Sequence, residues 1–297
     1  MCAVINVAAR ADALHVVASI QPVHSLVAGV MDGVGEPTLL IQGGASPHTY
    51  ALKPSEAAAL QQADVVFWIG EALETFLAKP LRSLSRRAAI VTLADADGVD
   101  LVEAGSGDHA AHDHADGGHD HADGGHDMHI WLDPTNAEAM VRRIVDALSL
   151  ADPAAAPQFR ANGAALQRRL AGLDAALFKA LTPLQGRPYI VLHDAYRYLE
   201  RRYGLTQAGA ITVSPERRPS ARKLTEIRAA LADTRASCVF AEPQFEPALA
   251  HTVIEGSDAR IGVLDPLGSA LPPGPDAYFG LMHNLAAALA DCLAPHR

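Results

Sequence analysis

The sequence predicts an α/β protein of two lobes, each a mainly parallel sheet flanked by helices, joined by one long rigid helix. In the first half, short apolar runs alternate with stretches of helical composition, and this alternation starts again in the second half. A long apolar stripe at helical spacing separates the two halves. Such alternation is typical of parallel sheets covered on both faces. We therefore expect lobes at residues 14–152 and 186–297 and a linker helix at 153–185.

The first 13 residues are expected to precede the folded lobes. They contain a short apolar stretch followed by Ala11, Asp12 and Ala13, a small-x-small pattern of the kind that signal peptidases cut. We interpret residues 1–13 as the remnant of a signal peptide, which predicts export. An ordinary flexible N-terminus is the alternative.

Each lobe is predicted to contain four strands. They are short apolar runs rich in β-branched residues, as the buried strands of parallel sheets are. The N-terminal set lies at 14–20, 38–41, 64–69 and 89–93, and the C-terminal set at 189–192, 205–211, 238–241 and 260–264.

One segment, 95–127, carries the whole charge imbalance of the chain. It contains ten acidic residues and no Lys or Arg, whereas the other 24 acidic residues equal the 24 basic ones. The unit HDHADGG stands twice at 112–125, and the segment holds six histidines: His109, His112, His114, His119, His121 and His126. This composition cannot bury apolar surface, so the loop 103–127 is predicted to be disordered. A segment of like charge that contains histidines is expected to attract cations. The alternative interpretation is an inert, solvated insertion.

Composition also argues against two classes of partner. The body of the chain is neutral and has no basic stripe, which argues against nucleic acid because that binding rests on neutralising phosphates. No apolar run approaches the roughly 18 to 20 residues of a membrane-spanning helix. The chain is therefore expected to be soluble.

The linker helix is predicted from a single apolar stripe. Its residues are spaced 7, 4, 3, 4 and 4 apart: Phe159, Leu166, Leu170, Leu173, Leu177 and Leu181. Pro157 suits the first turn, and Pro183 and Gly186 end the helix. About 25 residues span roughly 37 Å, enough to run along two lobes. Because a continuous helix resists bending, we do not expect large lobe closure.

Four potential metal ligands follow predicted strands. His48 lies beyond the strand 38–41, His129 opens HIWLDP, His193 follows YIVL and Asp265 follows IGVL. Each alone is explained equally well as a structural residue. Ligands of open α/β sheets bind at the carboxyl ends of strands, and these four lie at such ends, two in each lobe. Three imidazoles and one carboxylate suit Zn(II).

The cysteines leave two possibilities open. If the first 13 residues are removed, Cys238 and Cys292 remain as an even pair, which an oxidising compartment could join. Two separate buried thiols fit the spacing equally well.

Five ordered blocks resemble one known family, the ZnuA-type zinc-binding proteins of bacterial ABC importers, within the wider zinc and manganese solute-binding group. The blocks are GGASPHTYALKPSE (43–56), HIWLDP (129–134), VLHDAYRYLERRYGL (191–205), CVFAEPQF (238–245) and LDPLG (264–268). The resemblance implies two α/β lobes joined by a long rigid helix, with metal in the cleft between them. It also implies a periplasmic location, a His-rich insertion and a disulfide between Cys238 and Cys292.

The resemblance also assigns the ligands. His48, His129 and His193 match the family's three histidine ligands, whereas manganese-type relatives carry a carboxylate where His193 stands. Pro47 replaces a glutamate that some zinc members place before the first histidine, so Asp265 or water must fill the fourth position; Asp265 is the favoured choice. Three further residues are expected to surround the ligands: Trp131, Tyr196 and Glu242.

The predicted function is periplasmic capture of Zn(II) and its delivery to an ABC permease in the inner membrane, by a monomer that is not an enzyme. The loop is expected to collect zinc weakly near the cleft. A zinc hydrolase is one alternative, because three histidines and an exchangeable position also hold catalytic zinc, although no HExxH motif is present. A manganese-binding importer protein and metal buffering by the loop alone are the others.

Overall fold

The computed structural model describes residues 14–104, 125–212 and 219–294, and in them the eight predicted strands form two parallel four-stranded sheets. The first sheet has the order β2-β1-β3-β4, with β1 at Val16–Ala18, β2 at Thr38–Leu39, β3 at Val65–Trp68 and β4 at Ala89–Thr92. The second has the order β10-β9-β7-β8, with β7 at Pro188–His193, β8 at Thr206–Thr212, β9 at Cys238–Ala241 and β10 at Arg260–Val263. The predicted α/β class is confirmed.

Helices connect and cover these strands. They are α1 (Gln21–Met31), α2 (Pro54–Gln62), α3 (Thr75–Ser83), α4 (Pro134–Ala151), α5 (Ala156–Leu181), α6 (Arg197–Tyr203), α7 (Ala221–Thr234), α8 (Ala248–Ile254) and α9 (Ala277–Leu293). Short 3-10 turns stand at Ile130–Leu132 and Thr182–Leu184. The α4 helix begins where sequence rules place it, because Pro134 takes its first position and the Asp133 side chain accepts a hydrogen bond from the Thr135 amide at 2.8 Å.

The long helix α5 packs against both halves of the protein. All six residues of the predicted apolar stripe are buried. The helix contacts α1 and α4 of the first half and α6 and α9 of the second. It ends in the short turn that contains Pro183, and Gly186 follows with a positive φ of 73°. The two sheets are thus fixed to one continuous, 26-residue support.

The two halves also bond to each other directly. The Gln21 side chain donates hydrogen bonds to the carbonyls of Gly268 and Leu271 at 2.7 and 2.9 Å. The Tyr278 hydroxyl donates to the Trp131 carbonyl at 2.7 Å, and the Tyr278 amide donates to Ser25 Oγ at 2.9 Å. One apolar core containing residues of both sheets continues across this seam.

A small hairpin departs from the sequence prediction. Strands β5 (Val102–Glu103) and β6 (His126–Asp127) pair antiparallel, so the two ends of the loop 103–127 are ordered rather than disordered. The reason is a distant partner, since the Tyr198 hydroxyl accepts from the Val102 amide and donates to the Asp127 carbonyl. Five predicted loop ligands lie outside the described residues: His109, His112, His114, His119 and His121.

The predicted pairing of Cys238 with Cys292 is confirmed. The disulfide joins the start of β9 to the last turn of α9 across 54 residues of sequence. It holds the last helix on the second sheet. Residues 1–13, the predicted signal-peptide remnant, lie outside the described residues. Within the described ranges, no helix has the length and apolar character of a membrane span.

Candidate metal centre

Three histidines from distant parts of the chain meet at the seam between the sheets. His48 lies in the loop after β2, His129 directly precedes the 3-10 turn before α4, and His193 is the last residue of β7. One ring nitrogen from each lies within 4.8 Å of the other two. The ring centroids are 4.9 to 5.4 Å apart. This spacing allows all three imidazoles to bind a single ion.

The loop that carries His48 is anchored on both sides of the histidine. Upstream, Gly44 has a positive φ of 75°, and a Cβ there would stand 3.0 Å from the Cβ of Ser269 in the second half. Glycine is therefore required both for the turn and for the close approach. Downstream, the Tyr50 ring lies 5.2 Å from the Phe76 ring, and its hydroxyl donates to Glu56 at 2.6 Å.

His48 is a neutral base inside the protein. Burial, and after it repulsion from His129 and His193, lowers the pKa of His48 to about 2. Its Nε2 atom is buried and has no hydrogen-bond partner among the described residues. A buried nitrogen without a partner is costly unless a ligand satisfies it. The donor set therefore fits a metal cation.

The pKa of His193 is shifted in the opposite direction to that of His48. Its Nδ1 lies 3.5 Å from Oε1 of Glu242, which in turn accepts a hydrogen bond from the Tyr196 hydroxyl at 3.1 Å. Burial alone would lower the pKa of His193. The charge and hydrogen bonding of Glu242, together with the charges of Asp127 and Asp194, outweigh burial, so this pKa lies above its ordinary value. Tyr196 thus contacts the carboxylate beside the ligand.

Two side chains border His129. Trp131, which the sequence placed here, has its ring centroid 5.3 Å from that of His129, and its Nε1 donates to the Pro266 carbonyl at 2.8 Å. The second is Asp127, whose Oδ1 lies 2.6 Å from Nδ1 of His129. Sequence reasoning counted Asp127 only as one of many loop acids. Its position two residues before a ligand was the signal that could have identified it.

Asp265 does not join the three histidines. Its Oδ1 accepts hydrogen bonds from the Gln244 side chain and from the amides of Leu267 and Gly268, at 2.8, 3.1 and 3.1 Å. Its Oδ2 accepts from the amide and hydroxyl of Ser269, at 2.6 and 2.7 Å. Both oxygens are therefore used to shape the loop after β10, and the group of potential ligands found among the described residues contains the histidines alone. Asp265 is thus not part of that group, and its role as the fourth ligand stays a prediction.

The pocket at the histidines is very small. The space open to the centre of a water-sized sphere is about 10 Å³, enough for one ion or water molecule. It is lined by the three histidines together with Ser46, Trp131 and Phe245, among others.

Three convergent imidazoles between two rigidly joined α/β halves define a metal-binding protein of the two-lobed solute-binding class. A family model described as ZnuA, zinc-uptake complex component A periplasmic, matches residues 16–292. The chain belongs to this family, and the resemblance carried by the five sequence blocks is confirmed.

The relatives agree along nearly the whole chain. A high-affinity zinc uptake system protein ZnuA of Brucella suis biovar 1 (strain 1330) is 44% identical, over 94% of this chain and 91% of the relative. The protein of that name from Yersinia pestis is 38% identical, with the same two coverages. A crystal structure of ZnuA superposes with a TM-score of 0.77 at 26% identity, over 94% of this chain and 100% of that one. A zinc-bound 138-173 deletion mutant of ZnuA superposes with a TM-score of 0.81 at 26% identity, over 96% and 100%.

Proposed function

We propose that the protein captures Zn(II) in the periplasm with high affinity and delivers it to an ABC permease in the inner membrane. The observation that carries this proposal is the meeting of three imidazoles around a space of one ion. His48, His129 and His193 are the ligands, and all come from one chain, which fits a monomer. The names of the relatives, which are zinc uptake proteins, support the choice of cargo.

The donor atoms favour zinc over manganese. Imidazole nitrogen suits Zn(II), whereas Mn(II) prefers carboxylate, carbonyl and water oxygens. The nearby carboxylates already contact protein groups. Glu242 accepts from Tyr196 and lies beside His193, Asp127 accepts from His129, and Asp265 accepts hydrogen bonds at both oxygens. Water or Asp265, after rearrangement of its loop, would complete a tetrahedral shell.

A binding protein explains the pocket better than a hydrolase does. Catalytic zinc needs an open position at which substrate and water both reach the ion. The space of about 10 Å³ that is open to the centre of a water-sized sphere suits a single ion better than an organic substrate. We therefore infer that the protein carries out no catalysis.

The His-rich segment is proposed to gather zinc ions weakly near the site. His126, the one segment histidine that the structure describes, is exposed on the hairpin. A tethered group of weak ligands raises the local concentration of ions at the site. Removal of residues 105–124, which keeps the hairpin, is expected to lower the number of bound ions while one tight ion remains.

The decisive experiment is a competition titration with zinc on the whole protein. Replacement of His48, His129 or His193 by alanine should each weaken the tight site by about 100-fold or more, since each removes a coordinate bond. The control is His283→Ala, an exposed histidine of α9, which should bind like the unchanged protein.

Two results would contradict the proposal. If the triple alanine variant kept a tight ion, the segment alone would be the binding site. If the zinc-loaded protein turned over ester or phosphate substrates, and the triple variant did not, the protein would be a hydrolase.

A further inference from the structure

A single carboxylate oxygen fixes the orientation of His129. Oδ1 of Asp127 accepts from the His129 backbone amide at 2.9 Å and from the His129 ring Nδ1 at 2.6 Å. Because a carboxylate only accepts, the ring hydrogen stands on Nδ1 and the lone pair stands on Nε2. Two bonds to one residue restrain both the backbone and the ring. His129 thus points a defined nitrogen at the site.

Asp127 is itself held by a residue of the other half. The Tyr198 hydroxyl, in α6, donates to the Asp127 carbonyl at 2.5 Å and accepts from the Val102 amide at 3.1 Å. One buried hydroxyl therefore joins both strands of the β5–β6 hairpin to the helix that follows His193. The same hairpin carries the two ends of the His-rich segment.

Resting on the proposed function, we propose that Asp127 and Tyr198 are positioning residues of the zinc site: Asp127 sets the Nδ1–H form of His129, and Tyr198 holds the hairpin strand that carries Asp127. Carboxylate-to-histidine contacts of this kind orient metal ligands and raise their basicity. The unusual feature is the location of the carboxylate at the stem of a cation-attracting segment.

The burial of Asp127 supports a role beyond hairpin stability. The residue is 6% exposed, and its Oδ2 has no hydrogen-bond partner within the described ranges. A buried carboxylate oxygen without a donor weakens the fold. A divalent cation bound to His129, two residues after Asp127, offsets that cost, because the negative charge of Asp127 then lies near a positive one. The buried carboxylate of Asp127 is therefore expected to be more favourable when zinc is bound than when the site is empty.

The first experiment reads the ring of His129 without zinc. Nitrogen NMR of the metal-free protein labelled with ¹⁵N-histidine separates the Nδ1–H from the Nε2–H form. The unchanged protein should show His129 as Nδ1–H, Asp127→Ala should show a mixture, and Asp127→Asn should restore Nδ1–H because an amide oxygen still accepts. A purely structural residue would leave the ring form unchanged.

The second experiment measures zinc affinity by competition. Asp127→Ala and Tyr198→Phe should each weaken binding by roughly 10- to 100-fold, the usual effect of losing such a contact. Glu103→Gln, on the exposed hairpin strand opposite His126, is the matched control and should bind like the unchanged protein.

The outcomes separate this inference from the proposed function. If the unchanged protein bound no zinc tightly, the function would fail, while the NMR experiment would still test Asp127. If the unchanged protein bound zinc tightly and Asp127→Ala kept either the Nδ1–H form or full affinity, the inference would be overturned. Should Asp127→Ala not fold, Tyr198→Phe, which keeps the buried ring, decides the affinity result in the same way.

Discussion

The pKa values of His48 and His193 are shifted in opposite directions, although both residues are expected to bind the same ion. His48 is neutral throughout the physiological range because its pKa is lowered to about 2. Glu242, together with Asp127 and Asp194, outweighs burial and holds the pKa of His193 above its ordinary value. Zinc binds deprotonated imidazole, so protons compete at His193 before they compete at His48. The pH response of the site therefore depends on a residue that is not itself a ligand.

At the scale of this residue, Glu242→Gln should move the acid limit of zinc binding. Affinity is lost as pH falls through the pKa of His193, and this pKa falls when the carboxylate charge is removed. The midpoint of the loss should therefore lie at lower pH in the variant. Competition titrations from about pH 5 to 8 measure it.

The control for this prediction is Glu246→Gln, an exposed carboxylate in the same loop. It should leave the midpoint where it is in the unchanged protein. A midpoint that stays in place, or rises, in Glu242→Gln would show that another group governs proton competition.

Single residues also show what sequence patterns miss. His48 and His193 could be predicted because the carboxyl ends of parallel strands meet at one edge. His129 follows the antiparallel strand β6 instead, so the block HIWLDP is what singled it out. Asp265 stands at the same kind of position, yet the amides and hydroxyl that follow it in its own loop occupy its oxygens. Asp127 was hidden among similar acids, and only its position two residues before His129 sets it apart. Its backbone carbonyl accepts a hydrogen bond from Tyr198, which lies 71 residues away in the sequence. No local pattern records such a bond.

At the scale of elements, helices α4 and α5 approach each other closely, and α5 packs against both halves of the protein. Gly163 lies on the buried face of α5, and a Cβ at this position would overlap Cγ2 of Val145 in α4. Valine in a helix has essentially one rotamer, so it cannot turn aside. The two helices approach closely because residue 163 has no side chain.

Gly163→Ala should therefore lower the free energy of unfolding by about 1 to 3 kcal/mol, the usual cost of overpacking. Gly172 is the matched control within the same helix, because a Cβ there meets nothing within 4 Å. Gly172→Ala should raise the free energy of unfolding by about 0.5 to 1 kcal/mol. Urea denaturation measures both. Equal effects of the two substitutions would contradict the close contact.

Elements were the level at which the sequence was most informative. The eight strands and the long helix follow from apolar periodicity, since burial dictates which positions are apolar. The β5–β6 hairpin does not, because its four residues have no apolar pattern and depend on the hydroxyl of a distant helix. Short polar strands are stabilised by tertiary partners, and those are invisible before the fold is known.

At the scale of the whole molecule, direct bonds between the halves should prevent closure around the ion. The Gln21 side chain, the Tyr278 hydroxyl and α5 all join the two sheets. We expect the radius of gyration from small-angle X-ray scattering to be unchanged when zinc is added. The triple histidine variant, with and without zinc, is the control. A zinc-dependent decrease seen in the unchanged protein alone would show hinge closure.

The position of Trp131 has a practical consequence for observing the site. The chain has two tryptophans, and Trp131 is fully buried against the ring of His129. Trp68 lies in the first sheet, where its Nε1 donates to the Thr92 hydroxyl at 3.0 Å. Indole fluorescence depends on its immediate surroundings, so we expect the emission of Trp131 to change when an ion binds at His129, while that of Trp68 stays constant. This change would allow binding and release to be followed in real time on the unlabelled protein.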